Sequence, residues 1–186
     1  MEVAALVVGI IALVVGVAAL PTILQMIFGR PFLTFEADEF TGSESKILVI
    51  AIKNRPIKNR FLQMMGVERD AGDVLAFFDI IKQGTNEIIA KNISGKLHCA
   101  PERTEGLKVP VLPGFTTGLM IVATKNGSAA LVDGRSDLLK PIGEGHYAAF
   151  ISVIRGEKTY NIMQRFQIEK EDHRTIWYSR DVIKTR

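Results

Sequence analysis

Cysteine is nearly absent from this chain: among 186 residues only Cys99 carries a thiol. One thiol excludes an internal disulfide framework and any metal centre built from cysteines alone. Histidine is scarce too, with His98, His146 and His173 scattered far apart. No Gly-x-Ser-x-Gly, His-Glu-x-x-His or Gly-x-Gly-x-x-Gly occurs. The hydrolase elbow, the zinc-protease helix and the dinucleotide fingerprint are thereby missing. Charge of either sign barely prevails, since 23 Lys and Arg against 20 Asp and Glu leave a formal +3. That balance is too weak to mark a nucleic-acid binder, and the aromatic residues are not interleaved with the basic ones. No cofactor, no metal and no nucleic-acid partner is expected.

Charge is missing altogether from one stretch. Between Val3 and Phe28, 26 consecutive residues carry none. As a helix that run would measure about 39 Å, against a hydrocarbon core of about 30 Å. Val3–Leu20 alone would reach about 27 Å. Pro21 is expected to kink or end the helix, leaving Thr22–Phe28 near the headgroups. A cleaved signal peptide would open on a positive segment and hold a shorter apolar core. Here Glu2 precedes the run, with no Lys or Arg before it. Residues 1–29 are therefore read as a retained single transmembrane anchor, and residues 30–186 as one globular domain. Arg30 follows the span directly, and Lys46, Lys53, Arg55, Lys58 and Arg60 come after. Basic flanks stay on the cytoplasmic side, which places the domain there. Ala5, Gly9, Ala12, Gly16 and Ala19 recur at spacings of four and three. They form a seam of small residues of the kind that lets membrane helices pack, so a homo-oligomer through the helix is an expectation.

The remainder is a succession of short apolar runs separated by Gly, Pro, Asn and Asp, the punctuation of a mainly β protein folded as a sandwich. Expected strands begin at Pro31–Ala37, with Glu36, Asp38 and Glu39 on the polar face of an edge. Lys46–Lys53 is apolar on both faces, as a covered central strand would be. Pro56 breaks it. Phe61–Val67 and Val74–Ile81 read as further strands, the second leading into a hairpin through Glu87–Lys91, with a helix capped by Asp73 and ended by Gly84 as the alternative for it. Leu107–Leu112, Leu119–Ala123, Ala129–Val132 and Thr175–Tyr178 add short ones. The strongest hairpin signal joins Tyr147–Ile154 to Tyr160–Ile168 through Arg155-Gly156-Glu157-Lys158. Core positions are expected at Leu48, Ile50, Phe77, Ile121, Tyr147, Ile151, Val153, Ile162 and Phe166.

Candidate chemistry is sparse. Ala90–Leu97 ends in Ser94-Gly95-Lys96-Leu97, which lacks the first glycine and the magnesium-binding hydroxyl of a phosphate loop. Asp133–Glu144 has the outline of a calcium loop, but Arg135 and Leu138 stand where a ligand and the central glycine belong. His98 and Cys99 are adjacent, so on a strand they face opposite ways and share no ion. The loop around Asn54–Arg60 holds Lys53, Arg55, Lys58 and Arg60. On a tethered domain those four are the expected contact with the membrane surface.

Gly145-His146-Tyr147, followed by alternating Ala149, Ile151 and Val153, resembles the entry to strand F of immunoglobulin-like sandwiches. The resemblance implies a tyrosine whose hydroxyl bonds to upstream backbone, here near Leu139–Pro141. The paired cysteines and the central Trp of antibody domains have no counterpart. Such a fold hosts many functions. The sequence thus leads to a membrane-anchored β-sandwich acting as a non-enzymatic binding or structural module. Its expected partners are the lipid bilayer and a protein or second copy. The alternative is a tethered enzyme whose site is assembled from dispersed loops.

Overall fold

The structure, a computed structural model, describes residues 2–41, 45–70, 72–99, 104–125, 128–135, 140–169, 175–177 and 183–185. Asn126-Gly127, residues 136–139 of the calcium-like loop, His173 and Tyr178 lie outside the described residues. The elements are α1 (Glu2–Phe28), β1 (Leu33–Thr41), β2 (Ser45–Asn54), α2 (Arg60–Met64), β3 (Asp73–Lys82), β4 (Glu87–Ser94) and β5 (Lys96–Cys99). They continue as β6 (Thr104–Gly106), β7 (Lys108–Pro110), β8 (Thr116–Lys125), β9 (Ser128–Leu131) and β10 (Lys140–Pro141). The chain closes with β11 (Gly145–Arg155), β12 (Lys158–Ile168), β13 (Thr175–Trp177) and β14 (Ile183–Thr185).

The apolar run forms one helix, and Leu6–Phe28 is long and apolar enough to cross a membrane. Pro21 sits inside it, so of the two outcomes expected, a kink or an end, the end does not occur. A proline removes one amide donor, and the intact bonds on either side carry the helix through, a pattern membrane helices tolerate. Gly9, Ala12 and Gly16 of the small-residue seam are exposed, and Ala19 is half-buried. Ala5 is described by its backbone alone.

The strands make two antiparallel sheets. The first runs β1-β2-β8-β5-β6, with β9 on the far half of β8 and β10 on β9. The second runs β13-β12-β11-β3-β4, with β14 on β12 and β7 on β3. The period-two pattern decides which side chains meet between them. Leu48, Ile50 and Ile52 of β2 face Tyr147, Ile151 and Val153 of β11 and Ile162 and Phe166 of β12 in a single core. Tyr160 reaches across to Phe35, with ring centroids 5.8 Å apart. As expected, β2 is covered on both faces: Val49 and Ala51 are as buried as the inward residues. The chain crosses from one sheet to the other at Gly95, whose amide donates to the Ala76 carbonyl at 2.7 Å. A Cβ there would run into Leu119 and stand 3.1 Å from that same carbonyl oxygen, so the crossing requires glycine.

Eight of the nine expected core positions are buried, and Phe77 is not. On β3 the inward set is Val74, Ala76, Phe78 and Ile80, which puts Phe77 on the outer face. Two adjacent phenylalanines fit either register, and a one-residue slip exchanges the faces. Phe61–Val67 is also corrected, because it is no strand. Pro56 ends β2's continuation, and Asn59 then caps α2 by accepting the Phe61 amide at 2.9 Å. A local cap outweighs the β propensity of a short run whose apolar residues do not alternate.

Tyr147 does bond to upstream backbone, through a different acceptor than expected. Tyr147 donates from its hydroxyl to the Gly143 carbonyl at 2.9 Å, with the Glu144 carbonyl at 3.2 Å, rather than to Leu139–Pro141. Its ring stacks on Phe166 at 5.3 Å. Burial pushes its hydroxyl above the usual 10.0, and Glu87 and Glu144 add to the rise.

Candidate functional site

The last turn of α1 is fastened to the domain. Gln25 donates through Nε2 to the Glu68 carbonyl at 2.8 Å and to Asp70 Oδ1 at 3.2 Å. Its Oε1 accepts the Glu68 amide at 3.0 Å. Gly29 closes the helix on the Gln25 carbonyl at 2.8 Å, and its own carbonyl accepts the Asp70 amide at 2.8 Å. A Cβ on Gly29 would overlap the Gln25 side chain, so this turn too requires glycine. One residue back, Leu24 packs on a small cluster of Ile57, Leu62 and Val67 beneath α2.

Asn54 holds the same region from the sheet side. Its side chain is buried, accepts the Phe32 amide at 3.2 Å and donates to the Asp70 carbonyl at 3.0 Å. Its backbone carbonyl accepts the Gly114 amide at 2.9 Å. The start of β1, the end of β2 and the segments around Asp70 and Pro113 therefore converge on one residue, Asn54.

Beside this junction lies a cleft of about 430 Å³. Phe28, Phe32, Ile57 and Leu62 supply apolar walls, and Arg55, Lys58 and Arg69 supply charge. The Arg55 and Arg69 guanidinium carbons lie 5.8 and 5.5 Å from the centre of the Phe32 ring. Such cation–ring contacts attract through the ring quadrupole. Arg69 also donates to the Arg30 carbonyl, while its buried Nε has no partner. Among the described residues no carboxylate stands within 4.0 Å of Arg55, Lys58, Arg60 or Arg69. On the sheets Lys46, Lys53, Lys96 and Lys108 pair with Glu39, Glu36, Glu105 and Asp73, while Lys82, Lys91, Lys158 and Arg165 have no carboxylate within 4.0 Å among the described residues.

The four basic residues singled out in the sequence thus separate. Arg55 and Lys58 line the cleft, and Arg60 opens α2 next to it, exposed. Lys53 lies on the sheet, neutralised by Glu36. Sequence reasoning missed Gln25, Phe28, Phe32 and Arg69. One signal for the junction was available, since a lone polar side chain within an apolar run needs a partner.

The other candidates offer less chemistry. A groove of about 490 Å³ on the outer face of the second sheet is lined by the half-buried Phe77 and the exposed Phe150. Its polar groups bond to one another: Asp79 accepts the Asn92 amide at 2.6 Å, and Ser152 donates to Asn161 Oδ1 at 3.0 Å. His98 and Cys99 do face opposite ways, His98 lying 3.5 Å from Glu105 and Cys99 being buried in the core. Two of the edge carboxylates, Glu36 and Glu39, are ion-paired with lysines of β2. Among the described residues no group of three or more His, Cys, Asp and Glu is arranged to hold a metal. Searches of protein-family models, curated proteins and solved structures found no match to this chain.

Proposed function

We propose that this chain is a single-pass membrane protein whose β-sandwich is a non-enzymatic binding or structural module, held at a fixed attitude on the cytoplasmic surface. The observation that carries the reading is the three-point engagement of Gln25 with Glu68 and Asp70. A flexible tether would let the domain tumble beneath the membrane. Here the last turn of the span is part of the domain's own hydrogen-bond network, so the helix direction sets the direction of the sheets. The basic residues after the span, from Arg30 through Arg60, support the cytoplasmic side. The Tyr147 bond to Gly143 supports an immunoglobulin-like arrangement of the sandwich. For a protein partner, the groove between Phe77 and Phe150 offers exposed ring surface rather than reactive groups.

The side of the membrane is tested with one engineered thiol. Glu157, exposed in the turn between β11 and β12, is replaced by Cys in a Cys99→Ala background. An impermeant maleimide should label it only after the cells are opened. Labelling in intact cells would put the domain outside and overturn the cytoplasmic assignment.

A further inference from the structure

We infer that the cleft at the foot of α1 is a binding site for one anionic phospholipid of the leaflet where the span ends, its phosphate held by Arg55, Lys58 and Arg69. This inference rests on the anchored reading above and adds a ligand to it.

Depth comes first. From Val3 to Gln25 the helix rises about 33 Å, close to the hydrocarbon thickness of about 30 Å. Gln25 marks the boundary, since its amide is fully engaged by the domain and is not left bare in lipid. Phe28 lies about 4.5 Å further along the helix axis, at the level of the phosphates. Because Phe28 is itself a wall of the cleft, the cleft opens at that depth.

Chemistry comes second. The walls are of two kinds, and a phospholipid has two matching parts. Phe28, Phe32, Ile57 and Leu62 present ring and aliphatic surface suited to the first methylenes of an acyl chain. Arg55, Lys58 and Arg69 present cations, and a guanidinium matches the phosphate oxygens in a fork. None of the three has a carboxylate within 4.0 Å among the described residues, so the cleft gathers uncompensated positive charge from two parts of the chain. The cavity, about 430 Å³, lies in the range of small-molecule sites. A zwitterionic lipid would bring its own ammonium among three cations, so an anionic lipid is favoured.

The test uses the full-length chain in phosphatidylcholine nanodiscs containing spin-labelled phosphatidylglycerol. Insertion with α1 intact is first confirmed by mass, and failure at that step would overturn the anchored reading itself. The wild-type chain should immobilise about one phosphatidylglycerol in preference to phosphatidylcholine. Arg55→Gln with Lys58→Gln should weaken that preference by about fivefold per cation removed. Neither side chain donates a hydrogen bond within the described protein, so the thermal midpoint should hold. Lys53→Gln with Lys108→Gln removes the same charge from two paired sites and should leave the preference intact. Equal affinity for both lipids would overturn the site. So would an unchanged preference in the cleft variant, or an equal loss in the sheet variant, which would show net charge alone at work.

Discussion

The core between the sheets and the junction beneath it are built by different means. In the core, large side chains such as Phe78, Tyr147, Ile151 and Phe166 are almost wholly enclosed, and packing decides the arrangement. At the junction the buried apolar cluster is only Ile57, Leu62 and Val67. Two amide side chains, Gln25 and Asn54, do the joining there. Hydrophobic burial is non-directional and scales with area, whereas a hydrogen bond fixes direction at a net gain of about 1 kcal/mol. The core therefore supplies stability, and the junction supplies orientation.

Mutations should separate the two. The largest effect is expected in the core, where Phe166→Ala should cost about 3–5 kcal/mol. A denaturant titration of the full chain in micelles, read by β circular dichroism, measures it. A loss below about 1 kcal/mol would mean that the sheets are not packed face to face there. At the junction, Asn54→Ala strands the Phe32 amide, at about 1–3 kcal/mol, and leaves the Asp70 carbonyl with only its bond from Arg155 at 3.2 Å. The same titration reads the loss, and Asn54→Asp should recover the acceptor for Phe32 without the donor to Asp70.

Tyr147→Phe belongs to the core but probes direction, and its expected cost at neutral pH is about 1 kcal/mol. Its hydroxyl is raised in the folded state, so the neutral form is the one that folding favours. That stabilisation is fully present below pH 10.0, the unfolded value, and is lost as pH rises through the folded value. Stability of the wild type should thus fall more steeply above pH 10.0 than that of Tyr147→Phe. Parallel curves would remove Tyr147 as the cause. The smallest effect is expected for Lys53→Gln, which breaks a half-exposed pair with Glu36 and should cost about 0–1 kcal/mol. A larger loss would show that the sheet surface is tied more tightly than its exposure implies.

The same contrast explains what could be read from the residues alone. The helix and most of the major strands follow from period and punctuation, because Val3–Phe28 carries no charge and β11 and β12 flank a two-residue turn. The strongest hairpin is paired without a bulge from Gly145–Ile168 to Arg155–Lys158. Phe77 was placed on the wrong face because Phe77 and Phe78 are equally apolar and only tertiary packing selects between them. The candidate site was half legible. Arg55 and Lys58 stand out as a basic loop, but Arg69 and Phe32 reach the same cleft from other parts of the chain. No spacing rule links Phe32 to Arg69, since their proximity is created by Asn54 and Gln25 acting at a distance in sequence. Lys53 looked like a member of the basic set because its partner, Glu36, is a neighbour only in the sheet.

The central claim is that α1 remains in the membrane as part of the mature chain, because its last turn belongs to the domain. Alkaline carbonate extraction of membranes from cells making this protein, followed by intact mass of the product, tests it most directly. The account predicts the chain in the pellet, with Val3–Phe28 still attached. A soluble product beginning beyond Leu20 would contradict it.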